Sequence, residues 1–178
     1  MSKILSAENN IIIECNDTND FKIHFSTKLN NNVNIQSIVI NGQLYQLLSE
    51  LNNDIVESYH LTKNHDMDDI TYVLNIGSGL KGFLSARDSI RYKLHMLNKT
   101  QIQSPNKFQI TGDSMPPSQT NIKECNIANV ILDIEVVNSY IAIYLSYKDV
   151  STEFNNLQKH TLSRVISKML FKLKQYLE

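Results

Sequence analysis

The sequence predicts a single α+β domain in which an antiparallel sheet built from hairpins is covered by about three amphipathic helices. Three observations carry this. Between Asn129 and Tyr147, Val130, Leu132, Ile134 and Val136 alternate with polar positions, Asn138-Ser139 interrupts, and Ile141, Ile143, Leu145 and Tyr147 resume the period of two, so two strands read as a hairpin. Phe21, Ile23, Phe25, Thr27 and Leu29 likewise alternate with Lys22, His24, Ser26 and Lys28, as a half-buried strand with a wet lysine face does. Two leucine-rich stretches, 43–59 and 152–176, instead repeat at three and four, the period of a helix docked by one face. A hairpin is marginal alone, so the strands need one another and the helices as cover.

In chain order, residues 1–8 read as a short tail and 9–178 as the domain, a size that buries a real core. Ile11 to Cys15 is a strand, Asn16 to Asp20 a turn, Phe21 to Leu29 the second strand, and Asn30-Asn31-Asn32 a loop, because Asn tolerates left-handed dihedrals. Ile38-Val39-Ile40 fits either a short strand or the first turn of the first helix, with Ser37 or Asn41 as its cap. That helix runs from Gln43 to about Tyr59 through Leu44, Leu47, Leu48, Leu51 and Ile55. An acidic loop, 66–69, precedes a strand from Ile70 to Ile76. Phe83 to Leu97 reads as a second helix, with Phe83, Ile90, Leu94 and Leu97 inward and Arg87, Arg91, His95 and Lys99 recurring every four residues as a basic stripe. Residues 100–121 read mostly as loop around a short strand, Phe108 to Thr111, since Pro116-Pro117 forbids helix there. The third helix, 152–176, turns Leu162, Val165, Ile166, Met169, Leu170, Leu173 and Leu177 inward and carries Arg164, Lys168 and Phe171 opposite, with Lys172 and Lys174 on its shoulders.

A formal net charge of −1 provides no global field for nucleic acid or anionic lipid, so any such contact must be local. The two cysteines, Cys15 and Cys125, and the absence of an apolar signal core predict a reducing, intracellular setting, in which the acceptor triplets at Asn16 and Asn98 carry no glycan. No apolar run approaches the roughly 20 residues of a membrane span. His24, His60, His65, His95 and His160 are scattered without ligand spacing, so no metal and no cofactor is expected.

Two motifs carry possible chemistry. Gly77-Ser78-Gly79-Leu80-Lys81-Gly82 satisfies G-x-G-x-x-G after a strand and before a helix, and it looks like the first motif of adenosylmethionine-dependent methyltransferases. Against it, the chain opens and closes its sheet with hairpins, and Asp113 comes too late for the acidic ribose partner, so tight turns are the first reading of these glycines. Gly112-Asp113-Ser114-Met115 is similar to the nucleophile segment of Ser-Lys proteases, with Lys148 the one lysine at a sensible separation; a loop serine beside Pro-Pro is the simpler reading.

Taken in order, the hairpin strands, the leucine-faced helix from Gly42 to Tyr59, the basic segment Ile90 to Gln103 and Met115-Pro116-Pro117 before the long hairpin resemble the matrix proteins of rhabdoviruses. The size and Asn-rich composition are most similar to those of plant-infecting, cytorhabdovirus-like members. The resemblance implies a non-enzymatic structural protein of virion and host cytoplasm. Such a protein self-associates, condenses the viral ribonucleoprotein and touches the inner face of the envelope, with no small-molecule substrate. Pro116-Pro117 is followed by Ser118-Gln119, so no Pro-Pro-x-Tyr budding motif is carried over. On that reading the candidate membrane or nucleocapsid contacts are Arg87, Arg91 and Lys99 on one element and Lys168, Phe171, Lys172 and Lys174 on another. The alternative is a small methyltransferase-like enzyme using the Gly77–Gly82 loop.

Overall fold

A computed structural model describes residues 3–40, 43–75, 91–115, 123–150 and 156–178. Ten strands and three helices follow one another as β1 (Lys3–Glu8), β2 (Ile11–Cys15), β3 (Asp20–Lys28), α1 (Ile35–Ile40), α2 (Gln43–Leu51), β4 (Val56–Asn64), β5 (Met67–Asn75), β6 (Arg91–Ser104), β7 (Lys107–Ser114), β8 (Lys123–Cys125), β9 (Ile127–Val137), β10 (Tyr140–Asp149) and α3 (Asn156–Leu177). They form one sheet in the order β1-β2-β3-β10-β9-β7-β6-β5-β4, antiparallel throughout that path, with β8 added to β6 as a parallel strand. The α+β expectation is thereby met.

The asparagines shape the turns. Among the described residues, Asn9, Asn10, Asn19, Asn129 and Asn138 hold positive φ, as do His65 and Ser139. Asn9-Asn10 and Asn138-Ser139 are the paired left-handed positions of two-residue hairpin turns, whose twist matches the flanking strands. Asn34 caps α1 by accepting the Ser37 amide at 3.0 Å.

The predicted β9–β10 hairpin is formed and sits in the middle of the strand order, and its inward residues include Val130, Leu132, Ile134, Ile141, Ile143, Leu145 and Tyr147. Cross-strand register keeps one face continuous from edge to edge: Phe25 pairs Ile143, Ile143 pairs Ile134, Ile134 pairs Phe108, and on β5 Ile70 pairs both Met96 and Leu61. That face is the core, and the helices cover it.

Several expectations are corrected. Lys3–Glu8 is not a tail but an edge strand paired to β2. The first long helix stops at Leu51; Asn52 to Ile55 turns the chain, and Tyr59 stands on β4. Met67 to Asp69 belongs to β5 and not to a loop. The predicted second helix is contradicted where it is described, because Arg91–Ser104 is a strand of 14 residues. Residues 100–114, expected mostly as loop around a short strand at Phe108–Thr111, form the long β6–β7 hairpin, in which that strand is part of β7. A spacing of four is a multiple of two as well as near the helical turn, so Arg91, His95 and Lys99 do share a face, on a strand. Arg87, Phe83 and the glycines from 77 to 82 lie outside the described residues.

The sheet is curled. Nine strands at about 4.8 Å would separate β1 from β4 by about 40 Å if flat. Yet α3 packs on β1, β2 and β3, α2 packs on β4, and α2 and α3 pack on each other, at the 8–10 Å typical of neighbouring helices. The two edges therefore approach each other across the helices, and the inner face encloses an interior.

Candidate functional site

The interior is the candidate site. Near the helices it is closed: Ile11, Ile13, Phe21, Ile23 and Phe25 of the sheet and Val165, Leu173 and Leu177 of α3 are almost wholly buried. Farther along the same face the cover thins. Leu94, Leu132 and Leu145 point inward by register, yet they remain partly accessible, as do Leu162, Ile166, Met169 and Leu170 on α3. Partly accessible apolar side chains on the inner face are the kind of surface that an apolar guest would meet.

A polar cluster stands in the wall beneath α2. Tyr72 Oη donates to the Tyr45 carbonyl at 3.0 Å, and Asn98 Nδ2 donates to Tyr45 Oη at 2.5 Å. All three residues are buried, and burial raises the pKa of both tyrosines, so they stay neutral hydrogen-bonding groups. Asn98 Oδ1 has no hydrogen-bond partner and lies over Gly112, where a Cβ would be 1.9 Å away. Burial likewise pushes Cys125 up to about 12 and raises Cys15, so the two thiols are inert packing groups.

α3 is fastened over this interior at its middle. Lys168 and Lys172, one turn apart, donate to the two oxygens of Asp54 at 2.8 and 2.5 Å, and Asn52 Nδ2 reaches the Met169 carbonyl at 3.4 Å. Burial works to raise the Asp54 pKa, but the two lysine hydrogen bonds and charges outweigh it and bring it to about 2.

The sequence-predicted contact residues therefore have other surroundings than expected. Lys168 and Lys172 are tied to Asp54, and Lys174 pairs with Glu178 at 3.1 Å. Phe171 is not on an exposed side but partly buried against the core. Arg91 forms a two-pronged pair with Glu57 at 2.7 and 2.8 Å, and Lys99 is exposed on the outer face of β6. Ser114 has a structural partner: its Oγ accepts the Ile127 amide at 3.0 Å, and Asp113 accepts the Asn129 amide at 2.7 Å, fastening β7 to β9.

No protein-family model and no curated protein matches the sequence. Solved structures do match in fold. The human StarD13 lipid transfer and protein localization domain superposes with a TM-score of 0.68 at 12% identity, over 100% of this chain and 89% of that one. A STAR-related lipid transfer protein fragment from Xanthomonas axonopodis gives 0.69 at 7% identity, over 99% and 98%. Human STARD10 gives 0.65 at 8%, over 98% and 71%. The chain thus has the helix-grip α+β fold of these domains.

This likeness corrects the functional expectation. The whole chain superposes on lipid transfer domains, so the matrix role, with its ribonucleoprotein partner and virion location, is withdrawn. The methyltransferase alternative falls with the topology, since the main path of the sheet is antiparallel and not the parallel order of a doubly wound fold. No helix among the described residues is long and apolar enough to cross a membrane. Sequence reasoning named none of the interior residues as a site. Their signal, alternating Leu and Ile, is the signal of any core.

Proposed function

We propose that this chain is a non-catalytic lipid-binding domain that holds one apolar ligand between the sheet and α3. The observation that carries the reading is the partial accessibility of Leu94, Leu132 and Leu145 on the inner face of the sheet and of Leu162, Ile166 and Met169 on α3. The fold likeness to domains described as lipid transfer proteins supports it. The expectation of no small-molecule ligand is reversed accordingly. Binding here needs no reactive group. Transferring apolar area from water contributes about 25 cal/mol per Å², so an acyl chain or a sterol body enclosed by leucines is held by burial alone.

The test is uptake by the delipidated protein of fluorescent phospholipid, sterol and fatty acyl probes, with native mass spectrometry to count bound ligand. One ligand per chain is expected. Leu132→Trp and Leu145→Trp, which fill the space with rings while keeping it apolar, should lower uptake about tenfold or more with the melting temperature nearly retained. Failure of the parent to take up any of the three classes would sink the reading.

A further inference from the structure

A cavity of about 290 Å³ opens at the outside of the molecule, where β1, the β2–β3 turn and the first turn of α3 meet. Lys3 lines one side, Lys159 and His160 the other, and Asn19 and Asp17 complete the rim. Lys159 is positioned and not a wandering surface lysine, because its Nζ donates to Asn19 Oδ1. Asn19 is in turn fixed with φ of 60° in a turn that Asn16 organises by accepting the amides of Thr18 and Asp20 at 3.0 and 2.9 Å. Lys3 is held beside Cys15 by the β1–β2 register, and both line the cavity. Among the lining side chains, Lys3, Lys159 and Asp17 together carry one net positive charge.

The surroundings are apolar in an unusual way. Leu157, three residues before His160 on the same side of α3, is 73% exposed, and no large apolar side chain among the described residues is more so. Val150 is 46% exposed and follows Asp149, whose amide donates to the Asn19 carbonyl at 2.9 Å. Water is a poor solvent for both side chains, and a cationic hollow flanked by bare apolar groups matches the boundary between headgroups and acyl chains.

We propose that this cavity binds a phosphate monoester presented at a membrane surface, such as the headgroup of phosphatidic acid, with Lys3 and Lys159 on the phosphate oxygens and Leu157 and Val150 entering the acyl boundary. The cavity is large enough for a phosphate group and too small for a whole lipid. The two ammonium groups approach from different elements, so the anion is bracketed instead of resting on one charged face. This site, whose lining includes Leu5 and Cys15 at the edge of the core, lies at the start of α3 and would dock the domain without requiring that the interior be loaded.

The experiment is co-sedimentation of the full chain with phosphatidylcholine vesicles, with and without a minor fraction of phosphatidic acid, and with and without millimolar inorganic phosphate. Binding should require phosphatidic acid and be competed by phosphate. Lys3→Ala combined with Lys159→Met should weaken it about tenfold or more at unchanged far-ultraviolet circular dichroism. Asp17→Asn, on an exposed turn, should strengthen it a few-fold, and Leu157→Ser should weaken vesicle binding but not phosphate binding seen by phosphorus NMR. Equal binding to both vesicle types, or an unaffected double-lysine variant, would overturn the proposal. Phosphate binding without vesicle binding would overturn the membrane assignment. If the double variant does not fold, the absence of any gain in Asp17→Asn overturns it instead. Uptake of the apolar probes should be unchanged in all these variants, so failure here is distinct from failure of the interior reading.

Discussion

Replacing Gly112 with Ala should destabilise the protein by about 3 kcal/mol, although it adds a single methyl group. Gly112 lies on β7, paired to Asn98 on β6 and to Val130 on β9. A Cβ there would stand 1.9 Å from Asn98 Oδ1, 2.9 Å from Asn98 Cγ and 2.8 Å from the Leu97 carbonyl oxygen. The side chain could swing away from the first two contacts only by breaking the 2.5 Å hydrogen bond to Tyr45 Oη and moving a residue that is 3% exposed. The third contact is backbone, so β6 itself must shift. Overpacking of this kind costs about 1–3 kcal/mol, and stranding a buried amide costs a further 1–3. For a chain of this length the melting temperature should fall by about 10 °C. Urea unfolding of Gly112→Ala, Asn98→Ala and the double variant would separate the terms. The double variant should be more stable than the sum of the singles by about 1 kcal/mol or more, because Asn98→Ala removes the Oδ1 clash and leaves the Leu97 one. A Gly112→Ala protein that melts with the parent, or strict additivity, would refute the reasoning.

Two further outcomes follow from the same packing. Ile134→Asp should cost several kcal/mol and leave the protein insoluble, because Ile134 is 2% exposed between Ile143 and Phe108, where a carboxylate finds no partner; wild-type-like thermal melting of that variant would disprove the inward face. Asp54, with its folded pKa lowered to about 2 from 3.8, contributes stability that is present above pH 4 and lost as pH falls toward 2, since the unfolded carboxyl binds its proton first. At 43% side-chain exposure solvent screening keeps this to about 1 kcal/mol or less, so melting temperatures between pH 5 and 2.5 should fall slightly more steeply for the parent than for Asp54→Asn.

The sheet was legible where period two was clean. β2, β3 and β10 alternate buried side chains with less buried ones, and a strand of that kind advertises itself. β6 did not, for a physical reason. Its inward Tyr92, Leu94 and Met96 are separated by Lys93 and His95, but its outer end, Gln101 to Ser104, extends beyond the core and carries no pattern. Its charges at 91, 95 and 99 fit a helix and a strand equally well. The neighbours decided the matter: β5 and β7 offer hydrogen bonds on both sides of β6, and a helix there would leave both strands with an unpaired edge.

The same non-local logic applies to the lysines of α3. By spacing, Lys168 and Lys172 look like a solvated face or a contact surface. Their partner is Asp54, more than a hundred residues away, brought beneath them only because the chain turns at Asn52 instead of extending α2 to Tyr59. That turn thereby does two things at once: it starts β4, the far edge of the sheet, and it places the carboxylate that fastens α3 from the near edge. The aspartate thus joins elements that pack on opposite edges of the curled sheet, whose inner face carries the row of core leucines. The two lysines nearest the middle of α3 are therefore engaged in closing the domain, and a membrane surface is better met at the other end of the helix, where Lys159 and Leu157 stand beside the open cavity.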